Sequence, residues 1–296
     1  TGRKRRKFLK NSLKRYKPEV PIIIVGNLTI GGTGKTPLVK YIATELIKLG
    51  YKPGIVSRGY GGKFKETLKV TNETPVKQTG DEAQILSTLN IPFYIDKNRV
   101  RALKTLNDNH DCDVIISDDG LQHYNMNRDV EIVVIDGKRR FGNNLSFPAG
   151  PLRESLKRLD SVDFIVNNSG PTEDGEHLMN VSPAKFIHLK SGKTYSVEEW
   201  PMHKQVHAVA GLGNPGRFFD LLARLGFDIT RNPFPDHHNF ISEDVHYLDH
   251  LPIIMTEKDA SKCKDFNNNK IWYLTIEAEV SSKFIEELDN KLKNLS

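Results

Sequence analysis

Apolar residues in this chain follow two rhythms. Short runs at 22–25, 54–57, 92–95, 113–117, 129–136 and 162–167 are each about one strand long, with Gly, Pro, Asn or Asp at their ends. Runs of that kind predict strands buried on both faces. Between them the spacing turns helical: Leu38, Val39, Ile42, Leu46 and Leu49 predict a helix over 37–49. Further helices are expected over 83–89 and 99–106, the first opened by Gly80-Asp81-Glu82, with acids at the positive end of its dipole. Strands alternating with helices predict an α/β fold, a mostly parallel sheet with helices on both faces. Residues 63–79 are polar with a β-leaning centre at Leu68 to Thr71, a small excursion from that plan.

The rhythm breaks at 141–154, FGNNLSFPAGPLRE, which reads as a long loop. Residues 168–180 are polar and turn-rich, and the domain boundary is expected there. This gives a core domain over 1–167 and a smaller C-terminal α/β domain over 168–296. The second part has weaker strands at 184–189, 206–210, 253–256 and 271–274, a helix at 217–225, and a final amphipathic helix at 282–295 that can pack back on the core. A length of 296 residues suits one large or two modest domains.

Composition narrows the class. A hydrophobic share of 38% supports a real core, and the two cysteines, Cys112 and Cys263, exclude a disulfide framework and a cysteine-based zinc site. They point to a reducing compartment. No apolar run approaches the roughly 18 residues that span a bilayer, and there is no signal-peptide core. The chain does not begin with Met, which leaves room for a preceding segment.

The net charge of +6 is concentrated near the start: residues 3–17 hold nine of the cations, from Arg3 to Lys17, with no acid before Glu19. On a helix Leu9, Leu13 and Tyr16 share one face and Phe8 borders it. Such a basic amphipathic stretch suits anionic lipid headgroups or an acidic substrate. Nucleic acid is the competing partner, and a solvated tail is the plain alternative.

The candidate chemistry centres on residues 21–36, PIIIVGNLTIGGTGKT. Strand, glycine loop and helix are the parts of a Walker A phosphate-binding loop, whose backbone N–H groups and helix end attract phosphate oxygens. Lys35 would reach the terminal phosphates and Thr36 would ligand Mg²⁺. The usual first glycine is Thr29 here, so Gly31, Gly32 and Gly34 supply the backbone freedom. An ordinary βα turn carrying GKT is the bland reading, and the flanking strand and helix argue against it.

Asp118 and Asp119 end an apolar strand, where a doubly wound sheet gathers its ligands, and one of them is expected to hold Mg²⁺. Other strand-end candidates are Arg58, Asp81, Glu82, Arg99, Arg153 and Glu154, each otherwise an ordinary surface ion-pair former. Gly211-Leu212-Gly213-Asn214-Pro215-Gly216 matches the dinucleotide fingerprint, but Asp228 fits the required acid only loosely, so a tight turn is preferred. HxxxH spacing occurs at His203/His207 and His246/His250 without a third zinc ligand pattern. His237 beside Asp236 could instead serve as an acid–base group.

Taken in order, GNLTIGGTGKTP, SRGYGG, GDE, DDGLQH, RD with GNN, PAGPLRES, GLGNPGRFF, PDHHNF and MTEKDA resemble the tetraacyldisaccharide 4'-kinases, the lipid A kinases known as LpxK. The resemblance runs from about Pro21 to past Ala260 and includes the unusual Thr29. It implies transfer of the ATP γ-phosphate to the 4'-hydroxyl of a lipid-linked disaccharide 1-phosphate at the cytoplasmic face of the bacterial inner membrane. It implies a P-loop core and a smaller C-terminal domain joined by a β-ribbon hinge, with no obligatory protein partner and no nucleic acid.

On this sequence the resemblance places Gly31, Gly32, Thr33, Gly34, Lys35 and Thr36 at the nucleotide. It makes Asp81 the catalytic base, assisted by His237. Asp118 and Asp119 serve the metal, with Glu154 in support, and Arg99 and Arg153 offset phosphate charge. Arg58, Tyr60 and Gln122 are expected on the substrate side, with Gln122 and His123 open to nucleotide or supporting contacts. The family usually begins with an apolar N-terminal helix and this chain begins at the basic stretch, so either an apolar part precedes it or the basic face serves instead; both make an anionic membrane surface the expected partner.

Two other classes fit the sequence less well. A dimerising P-loop ATPase of the partitioning type carries a signature lysine where this chain has Ile30. A nucleic-acid module would need base-reading elements that the sequence does not contain.

Overall fold

A computed structural model describes residues 15–295. Most of the basic stretch 3–17 therefore lies outside the described residues. By their internal contacts the residues divide into two units, one through Val181 and again from Ala278, the other Ser182–Glu277.

The first unit contains, in chain order, β1 (Ile22–Gly26), α1 (Lys35–Lys48), β2 (Pro53–Ser57), β3 (Leu68–Lys69), α2 (Val76–Thr79), α3 (Asp81–Leu86), β4 (Phe93–Ile95), α4 (Arg99–Asn109), β5 (Val114–Asp118), β6 (Val130–Asp136), β7 (Phe164–Asn168) and the start of β8 (Glu176–His188). The strands lie in the order β8-β7-β6-β1-β5-β2-β4-β3. All neighbours pair parallel except β3 on β4. Because successive side chains alternate between faces, β1 feeds two cores. Ile23 and Val25 pack with Leu38, Val39 and Ile42 of α1, while Ile22 and Ile24 pack with Ala102, Leu103 and Leu106 of α4. Helices on both faces bury the central strands completely, which explains why they are apolar without alternation.

The second unit has β9 (Thr194–Ser196), β10 (Gln205–Ala210), α5 (Gly216–Arg224), β11 (Asp228–Pro233), β12 (Ile253–Thr256), α6 (Glu257–Ala260) and most of β13 (Ile271–Val280). Strands β11, β10, β12 and β13 are parallel neighbours, and β9 pairs antiparallel with β8. An aromatic cluster fills its core, with Phe186 4.6 Å from Trp200 and Trp200 5.1 Å from Trp272 between ring centres. The glycine-rich turn after β10 is tied down by the buried Asp259, which accepts from the Gly211 N–H at 2.9 Å. Asp228 is engaged by Gln205 at 3.1 Å. Neither histidine pair lies on an α-helix, since His207 is in β10. His207 instead binds Asp249 at 2.8 Å and stacks on Tyr247 with ring centres 3.7 Å apart.

The chain ends in α7 (Ser282–Lys293), which buries Phe284, Leu288 and Leu292 in the core that α1 covers. Phe284 meets Phe164 edge-on at 5.5 Å. The division between units at Val181 falls after the polar stretch 168–180 rather than within it. That stretch contains the start of a strand, because main-chain pairing is indifferent to side-chain polarity. Residues Glu176 to Met179 pair parallel with Ile165 to Asn168.

Candidate active site

The segment 27–34 leaves β1 at the centre of the sheet and enters α1. Its carbonyls are held by side chains of the segment itself and of three others. Asn27 Nδ2 donates to Thr33 Oγ1 at 3.2 Å and to the Gly31 carbonyl at 3.4 Å. Arg139 donates to the Gly32 carbonyl at 3.2 Å, Asn168 to that of Thr33 at 3.0 Å, and Gln122 to that of Asn27 at 3.1 Å. In a trans peptide the N–H points opposite to the C=O. Fixing the carbonyls of residues 31–33 therefore turns the N–H groups of Gly32, Thr33 and Gly34 the other way, as a nest for an anion.

Gly34 has φ +95°, and a Cβ there would lie 2.6 Å from Asn168 Nδ2, so only glycine fits. Thr29 needs no such freedom: its φ is not positive, and it bridges Leu152 in an antiparallel pairing. The first turn of α1 carries no acid, which leaves its positive end to the ligand.

The neighbouring strand β5 ends beside the loop, with Val25 paired to Asp118. Asp119 follows at φ +47°. Lys35 Nζ lies 3.5 Å from Asp119 Oδ1, and Arg153 donates to both Asp119 oxygens at 3.1 and 3.2 Å. Burial pushes the Asp119 carboxyl up, but Lys35 and Arg153, with Arg99 behind them, outweigh it and hold it below the usual range.

Asp118 is in the opposite state. Burial first, then the charges of Glu82 and Asp119, push it up to about 7 against Lys35 and Arg99. Ser57 donates to its Oδ2 at 3.1 Å, while Oδ1 is buried with no hydrogen-bond partner among the described residues. An orphaned carboxylate oxygen among further acids fits a hard divalent cation. Asp118 and Asp119 would hold Mg²⁺ with Thr36, and the charge of Glu82 is felt at Asp118.

Arg99, at the start of α4, is 2% exposed. It donates to the backbone carbonyls of Asp96 at 2.9 Å and Asp118 at 3.0 Å. It therefore clamps the end of β5 and lends charge to the site from behind, and burial lowers its pKa to about 10. Glu154 is buried too, with Tyr124 O–H donating at 2.6 Å and Arg158 Nε 3.7 Å away. Arg158 also pairs with Glu131, as does Arg128. Burial and the Glu154 carboxylate raise the Tyr124 pKa.

Removing one partner of such a buried network leaves charge uncompensated. Arg158→Leu is therefore expected to destabilise by about 3–5 kcal/mol, read as a lower urea midpoint. A shift under about 0.5 kcal/mol, the range of ordinary surface changes, would show that the network does not brace the fold.

Asp81 opens α3 directly after Gly80. Gly80 has φ +82°, and a Cβ there would sit 2.0 Å from the Tyr60 carbonyl. The turn that carries Asp81 and the turn that carries Arg58 and Tyr60 are thus pressed backbone to backbone. A bond from the Lys63 N–H to the Lys77 carbonyl at 2.9 Å joins them again. Tyr60 is exposed by 68%.

On the α4 side a cavity of about 270 Å³ is lined by Lys97, Arg99, His123 and Asn125 among others. Burial and the charges of Arg99 and Arg58 push His123 down to about 4, so it is neutral in a positive surround.

His237 belongs to the second unit. There it has φ +59°, its N–H donates to Asp236 Oδ1 at 3.0 Å, and its Nε2 lies 3.9 Å from Asp236 Oδ2. Lys258 approaches the same carboxylate at 3.4 Å. The structure thus brings Lys35, Asp118, Asp119, Arg99 and Arg153 together around the loop, and joins Asp81 to Arg58 and Tyr60. Sequence reasoning did not single out Asn27, Arg139 and Asn168, which hold the loop carbonyls. Their common signal was position, immediately after β1, after β6 and at the end of β7.

A family model described as tetraacyldisaccharide-1-P 4'-kinase matches residues 1–293. The chain belongs to this family. A tetraacyldisaccharide 4'-kinase of Ruthia magnifica is 46% identical over 284 residues, covering 95% of this chain and 90% of that protein. One from Methylobacillus flagellatus is 43% identical, covering 95% and 85%. Among solved structures, the kinase LpxK from Aquifex aeolicus in complex with ATP superposes with a TM-score of 0.83 at 26% identity, covering 99% of this chain and 94% of that one.

Proposed function

We propose that the family's reaction, ATP-dependent phosphorylation of the 4'-hydroxyl of a tetraacyldisaccharide 1-phosphate, is carried out here with Asp81 as the base. A sugar hydroxyl is a poor nucleophile at neutral pH, so a carboxylate that accepts its proton as the bond to phosphorus forms is worth about 10²–10⁴-fold. Asp81 is suited to this because its turn is locked to that of Arg58 and Tyr60, the pair assigned to the acceptor. A part for His237 in the same proton transfer rests on the family resemblance alone. The cavity beside Arg99 and His123, positive in its surround, suits the sugar and the anionic group of the same acceptor.

The N–H groups of residues 32–34 and the Lys35 ammonium hold the donor phosphates in place. Arg153 sits where it can offset charge on the transferred group, and Arg99 does so from behind the Asp118 carbonyl. Mg²⁺, when bound, would neutralise charge between the phosphates and the carboxylates of Asp118 and Asp119. Glu154, held by Tyr124 and Arg158, would add its charge in support of the metal or the nucleotide.

Among the described residues no helix is long and apolar enough to cross a membrane. The basic stretch 3–17 would bring the chain to an anionic surface at the cytoplasmic face, where a lipid acceptor is reached. The observation that carries this reading is the outward hold on the loop carbonyls next to the Asp118–Asp119 strand end. Labelled ATP, Mg²⁺ and the lipid disaccharide 1-phosphate should yield a doubly phosphorylated lipid, and a chelator should abolish it. ATP hydrolysis without label on the lipid, or full transfer in chelator, would overturn the assignment.

A further inference from the structure

The loop between β6 and β7 folds over the phosphate-binding loop in a defined way. Leu152 bridges Thr29 on one side and Ser146 on the other. Its N–H donates to the Leu145 carbonyl at 3.1 Å, the Phe147 N–H donates to the Leu152 carbonyl at 2.8 Å, and the Ile30 N–H donates to the Pro151 carbonyl at 2.9 Å. Exposure here divides by segment rather than by alternation, since Ser146, though paired with Leu152, is exposed like its neighbours. Thr29 and Leu152 are the inner residues, 4% and 2% exposed. The neighbours Ile30, Leu145 and Phe147 are 43%, 52% and 66% exposed.

These side chains are held out by a built loop. The Ala149 and Gly150 N–H groups both donate to the Ser146 carbonyl, at 3.0 and 3.2 Å, and Asn143 donates to the Ala149 carbonyl at 2.9 Å. A Cβ on Gly150 would lie 2.0 Å from Asn143 Oδ1. The same loop carries cations just after β6. Arg139 is anchored on the Gly32 carbonyl at 3.2 Å, and Lys138 beside it is exposed. Large apolar side chains exposed on a braced loop that also carries cations fit an interaction site better than scattered exposure.

We propose that Ile30, Leu145 and Phe147 form a membrane-contacting tip that enters the headgroup–acyl boundary of an anionic bilayer, beside the phosphate-binding loop. The proposal rests on the reading that the acceptor is held in that bilayer by its acyl chains. Arg139 and Lys138 meet the headgroup phosphates, and the apolar side chains sit below them, the arrangement of interfacial segments generally. The tip lies one residue from Gly31, so its depth sets the distance between the donor site and the lipid surface.

The test is Phe147→Trp in the full chain, mixed with phosphatidylglycerol–phosphatidylcholine vesicles and compared with the unaltered protein. The added emission should shift to the blue and be quenched by brominated acyl chains; no shift and no quenching would overturn the proposal. Leu145→Ser with Phe147→Ser should lower transfer to vesicle-held acceptor by about tenfold or more, from the apolar burial lost. Transfer in detergent micelles should be unchanged. Equal loss in both settings would make the tip a binder of the acceptor's own chains, and loss of a concentration-dependent dimer would make it a self-association surface. Either overturns the bilayer assignment. If the unaltered protein transfers no phosphate in either setting, the kinase reading fails, while the quenching result still decides the membrane contact.

Discussion

Asp81→Ala is expected to cut kcat by about 10²-fold or more, with ATP binding almost unchanged. The carboxylate is proposed to act on the acceptor hydroxyl, away from the nucleotide, so its loss should appear in turnover rather than in nucleotide affinity. The turn should survive the change, because Gly80 and the bond between Lys63 and Lys77 hold its backbone. His237→Ala is expected to cost less. If the two lose equally and the double variant loses no more, the pair acts as a unit. Near-normal turnover of Asp81→Ala in a steady-state assay would remove Asp81 from the base role.

Lys35→Met is expected to lower kcat/KM by about 10²–10³-fold, the usual cost of losing one preorganised group aimed at developing charge. Methionine keeps most of the aliphatic length and removes only the ammonium. The fold should be little affected, since Asp119 retains Arg153 at 3.1 Å. The Tm should therefore stay close to that of the unaltered protein while transfer falls. Unchanged transfer with an unchanged Tm would mean that the ammonium serves Asp119 alone.

The positions of the strands and the phosphate loop were legible because burial on both faces leaves an unmistakable apolar run. The run at 22–25 is β1, 113–117 overlaps β5, and the glycines at 31 and 34 do have positive φ. Polar strands were not legible. The start of β8 reads as a turn-rich boundary, yet it pairs with β7, since a ladder is made by the main chain. The histidine pairs show the converse limit: helical spacing in the sequence means nothing where the backbone is a strand or loop.

The charged side chains near the loop divide in the same way. Arg99 and Glu154 were legible as candidates at strand ends and in loops. Their immediate partners, the carbonyls of Asp96 and Asp118 for one and Tyr124 with Arg158 for the other, depend on residues distant in sequence. No spacing rule reaches that far.

The sequence by itself determined the α/β class, the phosphate-binding loop and the family, because these rest on local apolar runs, on backbone freedom at particular glycines and on the order of motifs. Only the tertiary structure decided how that loop is made to face a phosphate. Asn27, Gln122, Arg139 and Asn168 converge from several elements to pull its carbonyls outward. It alone set Asp118 where burial and neighbouring acids push its carboxyl up, while cations hold Asp119, its neighbour, low. The two differ because burial and cations act through space, and adjacent residues at the end of a strand point into different surroundings.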